Sequence, residues 1–350
     1  MNKDESKQFD GLSKRVYYFA DLVLLKRLGK ALENGAARYP IFRELRFAAR
    51  VELEVLLDAI ALDPAWRAER LGAASLILDG EGVFVAAYGM RKADYCSVSF
   101  HAWAADIARA EATLKRIADK AGSTRITEPM FSIDWNFLTS GGQLESAAIE
   151  ELATDVLHDA AYPEIEGGVQ AFIARYLDAP ETVLVLQGPP GTGKTRLIRA
   201  ILGEMSRRKA EPAQALYTGD MKALAVDEIF VKFITGSDDA FVVEDADHLL
   251  KPRADGNEHL HRFLAIADGV VRSQGRKIIF STNLPNVGDL DDALIRPGRC
   301  FARVRVRNLT AEEARALALD IAAGDTRKLQ AFTAEDMRKR SLAEIYRELR

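Results

Sequence analysis

An apolar run, Val183 to Gln187, leads directly into Gly188-Pro189-Pro190-Gly191-Thr192-Gly193-Lys194-Thr195, and a helix-forming run from Arg196 to Met205 follows. The pattern G-x-x-x-x-G-K-[ST] is informative in this setting, between a strand and a helix. Glycines at 188, 191 and 193 let the backbone turn tightly and aim N–H groups at phosphate oxygens. The start of the helix adds partial positive charge. Lys194 supplies a full charge near the β and γ phosphates, and Thr195 offers a hydroxyl to Mg²⁺. The chain is therefore expected to contain a parallel α/β layer that holds a nucleoside triphosphate with Mg²⁺.

Two further strand ends bear on the same chemistry. Ala240-Phe-Val-Val-Glu-Asp-Ala-Asp247 is an apolar strand that ends in carboxylates. One acid on such a strand can serve the hydrated metal, and another can orient or deprotonate an attacking water. By position Glu244 is the metal-side acid and Asp245 the water-side acid, with Asp247 as an alternative. The order Glu-then-Asp reverses the usual one, and the shorter acid sits about 1.5 Å further from the water, a displacement that costs rate. Lys277-Ile-Ile-Phe-Ser-Thr-Asn283 is a third apolar strand with a polar tip, where Asn283 can reach a water or the γ-phosphate. Then comes Ala293-Leu-Ile-Arg-Pro-Gly-Arg299, in which Arg296 and Arg299 present planar donors suited to phosphate. Either arginine can act on its own subunit's nucleotide or across an interface.

Taken together, GPPGTGKT at 188–195, the acidic strand end at 241–247, STN at 281–283 and DDALIRPGR at 291–299 resemble the AAA family of ATPases. Leu260 to Val270, LHRFLAIADGV, resembles the helix that this family places between the acidic and polar strands. The resemblance covers about 160 to 310. It implies an α/β fold, a P-loop NTPase αβα sandwich of AAA type with a small C-terminal helical lid. It also implies ATP and Mg²⁺ as ligands, and a self-assembled ring of six or seven subunits with ATP between neighbours. Carried over by position, residues 188–195 bind phosphate and Thr195 with Glu244 serves Mg²⁺. Asp245 serves hydrolysis, Asn283 senses the γ-phosphate, and Arg299 with Arg296 comes from the adjacent subunit. The acid order and ALIRPGR are most similar to the subgroup of the mitochondrial complex III assembly ATPase. The chain lacks that protein's membrane helix, so a bacterial or phage relative is expected. Gly219 to Leu224 carries no aromatic-hydrophobic-Gly triplet, which argues against threading of an unfolded chain. The lid, 309–350, shows no second sensor arginine.

The rest of the chain reads as follows. Residues from about 13 to 70 are expected to be helical, with a break at Asp63-Pro64. Ala74–Leu78 and Val83–Tyr88 form a hairpin, Tyr95–Ala104 is a strand, Ala105–Ala121 a helix and Arg125–Phe137 an extended stretch. Residues 1–140 thus make an α+β domain that selects a protein client, with Phe100, Trp103 and Trp135 in its core. Ser140-Gly141-Gly142 separates it from a helical linker at 141–180, with helices at 146–158 and 167–178. The nucleotide-binding subdomain is 181–308. Thr310 and Thr333 are expected helix N-caps.

Composition removes several function classes. Among 350 residues, 48 are basic and 52 acidic, for a net charge of −4, so whole-surface nucleic-acid binding is not expected. Cys96 and Cys300 have no metal or disulfide spacing, which fits a reducing cytoplasm. No run reaches the roughly 20 apolar residues of a membrane span. The expected function is an ATP-driven ring that remodels or translocates a protein partner. A nucleic-acid-handling ATPase and a nucleotide-gated scaffold with low turnover are the alternatives.

Overall fold

A computed structural model describes residues 22–33, 39–209, 211–252, 259–267, 275–286, 290–296, 298–323, 325, 329–333 and 337–349. The expected helical residues 13–21, the DGV end of LHRFLAIADGV, Pro297 and residues 334–336 after Thr333 lie outside the described residues. The chain forms two compact units, Met1–Thr127 and Glu128–Arg350.

The first unit is built on an antiparallel sheet of order β1-β5-β4-β3-β2. Its strands are β1 (Ile41–Ala49), β2 (Trp66–Leu71), β3 (Ser75–Gly80), β4 (Val83–Arg91) and β5 (Cys96–Ala104). Strict alternation along β5 shows why it forms. Cys96, Val98, Phe100, Ala102 and Ala104 are buried against one layer, and His101 and Trp103 turn to the other face. The first face packs on helices α2 (Leu53–Ala61) and α3 (Ile107–Asp119), through Leu53, Leu56, Leu57, Ile60, Ala110, Leu114 and Ile117. A helix at 22–33, α1, lays Leu24 on the second face against Ile77, Phe84 and Ala86. The expectation of helix throughout 13–70 is corrected here, because 41–49 and 66–71 are strands paired with β5 and β3. Their apolar spacing is loose, and ladder pairing decided the conformation.

The second unit holds a seven-stranded sheet of order β12-β8-β11-β10-β9-β6-β7. These are β6 (Met130–Leu138), β7 (Leu144–Leu152), β8 (Val183–Gln187), β9 (Ala213–Thr218), β10 (Ala240–Val243), β11 (Lys277–Thr282) and β12 (Cys300–Arg305). All neighbours pair in parallel except β6 with β7. Every residue of β8, β10 and β11 is buried, as two covered faces require. Leu184, Leu186, Val242 and Ile279 face the side of α4 (Val169–Asp178) and α5 (Lys194–Lys209). Val183, Val185, Phe241, Ile278 and Phe280 face α6 (Glu228–Thr235), α7 (Asp247–Leu250) and α8 (Leu260–Ala267). The C-terminal helices α9 (Ala311–Ala322) and α10 (Leu342–Glu348) join the α5 side. Thr310 caps α9 in a capping box with Glu313. Ser341 does the same for α10 with Glu344.

Two expectations are corrected in this unit. Residues 146–158 do not form a helix: 144–152 is β7, paired with β6 from Leu138↔Leu144 to Met130↔Leu152. Its Ala- and Glu-rich sequence favours helix, but pairing along the whole strand outweighs that preference. Ser140-Gly141-Gly142 is therefore a hairpin turn, closed by Gly142 N donating to Thr139 O at 3.0 Å, and the chain divides at 127/128. Trp135 is correspondingly not a core residue of the first unit; it lies on β6 and is 45% exposed.

In the first unit Asp63 follows Leu62, the C-cap of α2, and its side chain is fully enclosed. It accepts from Arg116 (2.8 Å), Lys120 (2.7 Å) and Ala65 N (2.9 Å). The Arg116 guanidinium holds this carboxyl well below the usual carboxylate range, against the opposing effect of burial. A depressed acid stabilises the fold at pH values above its unfolded pKa and loses that contribution as pH falls toward the folded one. Asp63→Asn is expected to lower the melting temperature at pH 7 by about 5–10 °C. The gap from wild type should narrow as pH drops below about 4, measured by thermal unfolding from pH 7 to pH 2.

Candidate nucleotide site

Six parallel strands deliver their carboxyl ends to one edge of the sheet, and the polar tips of β8, β9, β10 and β11 meet there. The loop after β8 is held by close contacts that leave no room for a side chain at Gly193. Gly191 and Gly193 have φ of 77° and 93°, values that favour glycine. A Cβ on Gly193 would lie 2.6 Å from Leu342 Cδ1 and 2.8 Å from Tyr162 Oη. Tyr162 donates to Gly193 O at 3.0 Å, Ala343 N donates to Gly191 O at 3.0 Å, and Thr192 Oγ1 donates to Pro189 O at 2.7 Å. The loop is thus fixed between the start of α5 and the first turn of α10.

Lys194 is buried and donates to Gly188 O (2.5 Å), Pro189 O (3.1 Å) and Asn283 Oδ1 (2.9 Å). Burial pulls its pKa down, and the charges of Asp245, Asp247 and Glu244 oppose that. Asn283 uses its other end, Nδ2, to donate to Asp245 Oδ1 at 3.0 Å. Thr195 Oγ1 donates to Glu244 Oε1 at 2.5 Å. The two motifs separated by some fifty residues are therefore joined by side-chain hydrogen bonds.

The three acids take different places. Glu244 and Asp245 line the cleft with Pro190, Gly191, Gly193, Lys194, Thr195 and Asn283, around about 730 Å³. Asp245 has φ of 51°, a left-handed backbone that aspartate tolerates better than most residues. Its N–H donates to Ser281 Oγ at 3.3 Å. Asp247 instead accepts from Thr282 Oγ1 (2.6 Å) and Asn283 N (2.7 Å), and it is absent from the cleft lining. It braces the strand tip that carries Asn283.

Neither Arg296 nor Arg299 lines this cleft. Val183 N donates to Arg299 O at 3.1 Å, so Arg299 lies at the amino end of β8, five residues before Gly188. At about 3.3 Å per strand residue the separation is roughly 16 Å. The Arg299 guanidinium donates to Ala293 O within its own turn, whereas Arg296 is exposed.

Several site residues carry no motif signal. Arg196, Tyr346 and Arg347 also line the cleft, as does Ser281 of the polar strand tip. Arg347 sits on α10, so the C-terminal segment does bring an arginine to the cleft. Arg196 stacks on the Tyr346 ring at 3.9 Å and tethers α10 to α5. Tyr217, on β9, donates to Glu244 Oε2 at 2.8 Å. The available signal for Tyr217 was its place near the tip of a strand adjoining β10 in a parallel sheet.

Comparison with known proteins agrees with this geometry. Residues 184–308 match the family model "ATPase family associated with various cellular activities (AAA)". The chain carries an AAA ATPase domain. It is 34% identical over 136 residues to an ATP-dependent zinc metalloprotease YME1 homolog of Caenorhabditis elegans, covering 36% of this chain and 18% of that protein. It is 32% identical over 133 residues to the ATP-dependent zinc metalloprotease FtsH 3 of Sphaerobacter thermophilus, covering 35% and 27%. An ATPase family AAA domain-containing protein of Arabidopsis thaliana is 30% identical over 215 residues, covering 57% and 17%. The chain thus spans about a sixth to a quarter of the length of these relatives. The AAA match runs from β8 to the start of the C-terminal helices and leaves the first unit and the β6–β7 hairpin outside it. Among the described residues no helix is long and apolar enough to cross a membrane.

Gly193→Ala is expected to push Leu342 and Tyr162 away from the loop and to weaken binding of a fluorescent ATP analogue at least tenfold. The fold should be retained, as checked by circular dichroism.

Proposed function

We propose that this chain is a Mg²⁺-dependent ATPase that works as a self-assembled ring and uses hydrolysis to remodel a protein partner. The observation that carries the reading is the convergence of the bonded sets Lys194–Asn283–Asp245 and Thr195–Glu244 on one cleft beside a glycine cradle.

Each residue has a task that follows from its placement. Lys194, held by two loop carbonyls, presents its ammonium where β and γ phosphate oxygens would lie. Thr195 and Glu244 would hold Mg²⁺, since the hydroxyl can donate its proton to Glu244 while offering an oxygen lone pair to the cation. The cation would neutralise charge on the phosphate oxygens during transfer. Asp245 is the acid placed to orient and deprotonate water, and Asn283 links it to Lys194, so the γ-phosphate end and the water side are registered together. Arg347 and Arg196 add positive charge along the cleft wall. Asp247 is assigned to bracing, not to proton transfer.

The placement of the arginines supports the ring reading. Arg296 and Arg299 lie toward the opposite end of the sheet from their own cleft, so a role on phosphate requires a second subunit. The exposed Arg296 is the better placed of the two, with Arg299 bound inward and shaping the turn. The first unit, outside the family match, is proposed as the part that selects the client. The segment after β9 bears on how a client is handled. Asp220 accepts from Leu138 N (3.0 Å) and Lys222 N (2.9 Å), and Ala223 and Leu224 are buried. A loop so anchored, and lacking an aromatic triplet, favours moving a folded partner over threading an unfolded one. The peptidase part of the relatives' names is not carried over, because the 350 residues contain no H-E-x-x-H.

Arg296→Ala and Asp245→Asn are each expected to lower ATP turnover by about 10³-fold, with nucleotide affinity within about threefold. Mixing the two inactive proteins should restore part of the activity. In a mixed ring an Arg296→Ala cleft can receive the arginine of an Asp245→Asn neighbour. A mixture as silent as its parts would contradict the shared site.

A further inference from the structure

Glutamate has one more rotatable bond than aspartate, and a longer acid at a metal-side position must be restrained to serve as well as a short one. In this chain both carboxylate oxygens of Glu244 are engaged. Oε1 accepts from Thr195 Oγ1 at 2.5 Å, and Oε2 accepts from Tyr217 Oη at 2.8 Å. Tyr217 pairs with Val242 in the β9–β10 ladder, two residues before Glu244. Its ring meets the edge of Trp135 at 5.4 Å and 76°, and Trp135 is its partner in the β6–β9 ladder. The phenol is thus fixed by two strands and by an aromatic contact before it reaches the acid.

We propose that Tyr217 is a positioning residue for the metal-side carboxylate, the restraint that lets a glutamate stand where the reversed acid order places it. The proposal rests on the reading of Glu244 as the metal-side acid. Thr195 Oγ1 keeps its proton on Oε1, Tyr217 keeps Oε2 occupied, and the carboxylate plane is held toward the cation position. Without the phenol hydroxyl, Oε2 loses its donor and the side chain regains rotamers that face away from Thr195. The β6–β7 hairpin acquires a purpose in this scheme, because it supplies the indole that buttresses Tyr217.

Tyr217→Phe keeps the ring and its contact with Trp135 and removes one hydroxyl. The test uses Mn²⁺ as the probe cation, with free Mn²⁺ read by electron paramagnetic resonance in the presence of ATPγS equimolar to the protein. Tyr217→Phe is expected to weaken Mn²⁺ binding about tenfold, with metal-free ATPγS affinity within twofold of wild type. In Glu244→Asp the shorter acid no longer spans to the phenol, so adding Tyr217→Phe should change Mn²⁺ binding less than twofold. The inference is overturned if Tyr217→Phe leaves Mn²⁺ binding intact, or weakens it equally with Glu or Asp at 244. If Glu244→Gln itself binds Mn²⁺ like wild type, the metal-side reading fails first, and the inference falls with it.

Discussion

A buried ammonium is costly unless its hydrogen bonds are met, and the contacts that meet those of Lys194 organise the site around it. Two of its acceptors are carbonyls of the glycine loop, and the third is the amide oxygen of Asn283 at the tip of another strand. That amide passes the connection to Asp245. The amine therefore locks the loop, the polar strand and the acidic strand into one arrangement before any phosphate arrives. Burial draws its pKa down while three nearby acids oppose this.

The sheet explains why these contacts are possible. Parallel strands bring their carboxyl ends to the same edge, so a tight turn after β8, acids after β10 and an amide after β11 become neighbours despite wide separation in sequence. Packing on both faces makes the arrangement rigid. Alternate residues of β8 enter opposite cores, and the strand has no freedom to slip without burying the wrong set. The C-terminal helix α10 closes on the loop from above, through Ala343 N and the Arg196–Tyr346 stack.

Much of this was legible in the amino-acid sequence, and the limits have physical causes. The glycine loop, the acidic strand and the polar tip are local patterns whose chemistry requires particular residue types at particular spacings, and the structure gathers them into one cleft. The hairpin β3–β4, the strand β5 and the helix α3 were readable from alternation and turn residues. The β6–β7 hairpin was not, since Leu144–Leu152 has the composition of a helix and becomes a strand only through pairing with Met130–Leu138. With that hairpin in place the boundary between units lies at 127/128 instead of 140, and Trp135 sits on β6, 45% exposed, outside the first unit's core. Tyr217 and Arg347 escaped because each acts through tertiary placement: one by ladder register beside β10, the other by the docking of α10. Asp247 looked equivalent to its neighbours in the sequence and was separated from them only by its bonds to Thr282 and Asn283.

Equilibrium dialysis of labelled ATPγS against the purified 350-residue chain, with and without Mg²⁺, addresses the core of this account. Saturable uptake of one nucleotide per chain, strengthened by Mg²⁺ and abolished by Lys194→Ala in a folded protein, is the predicted result. No uptake at all, or equal uptake by Lys194→Ala, would contradict it.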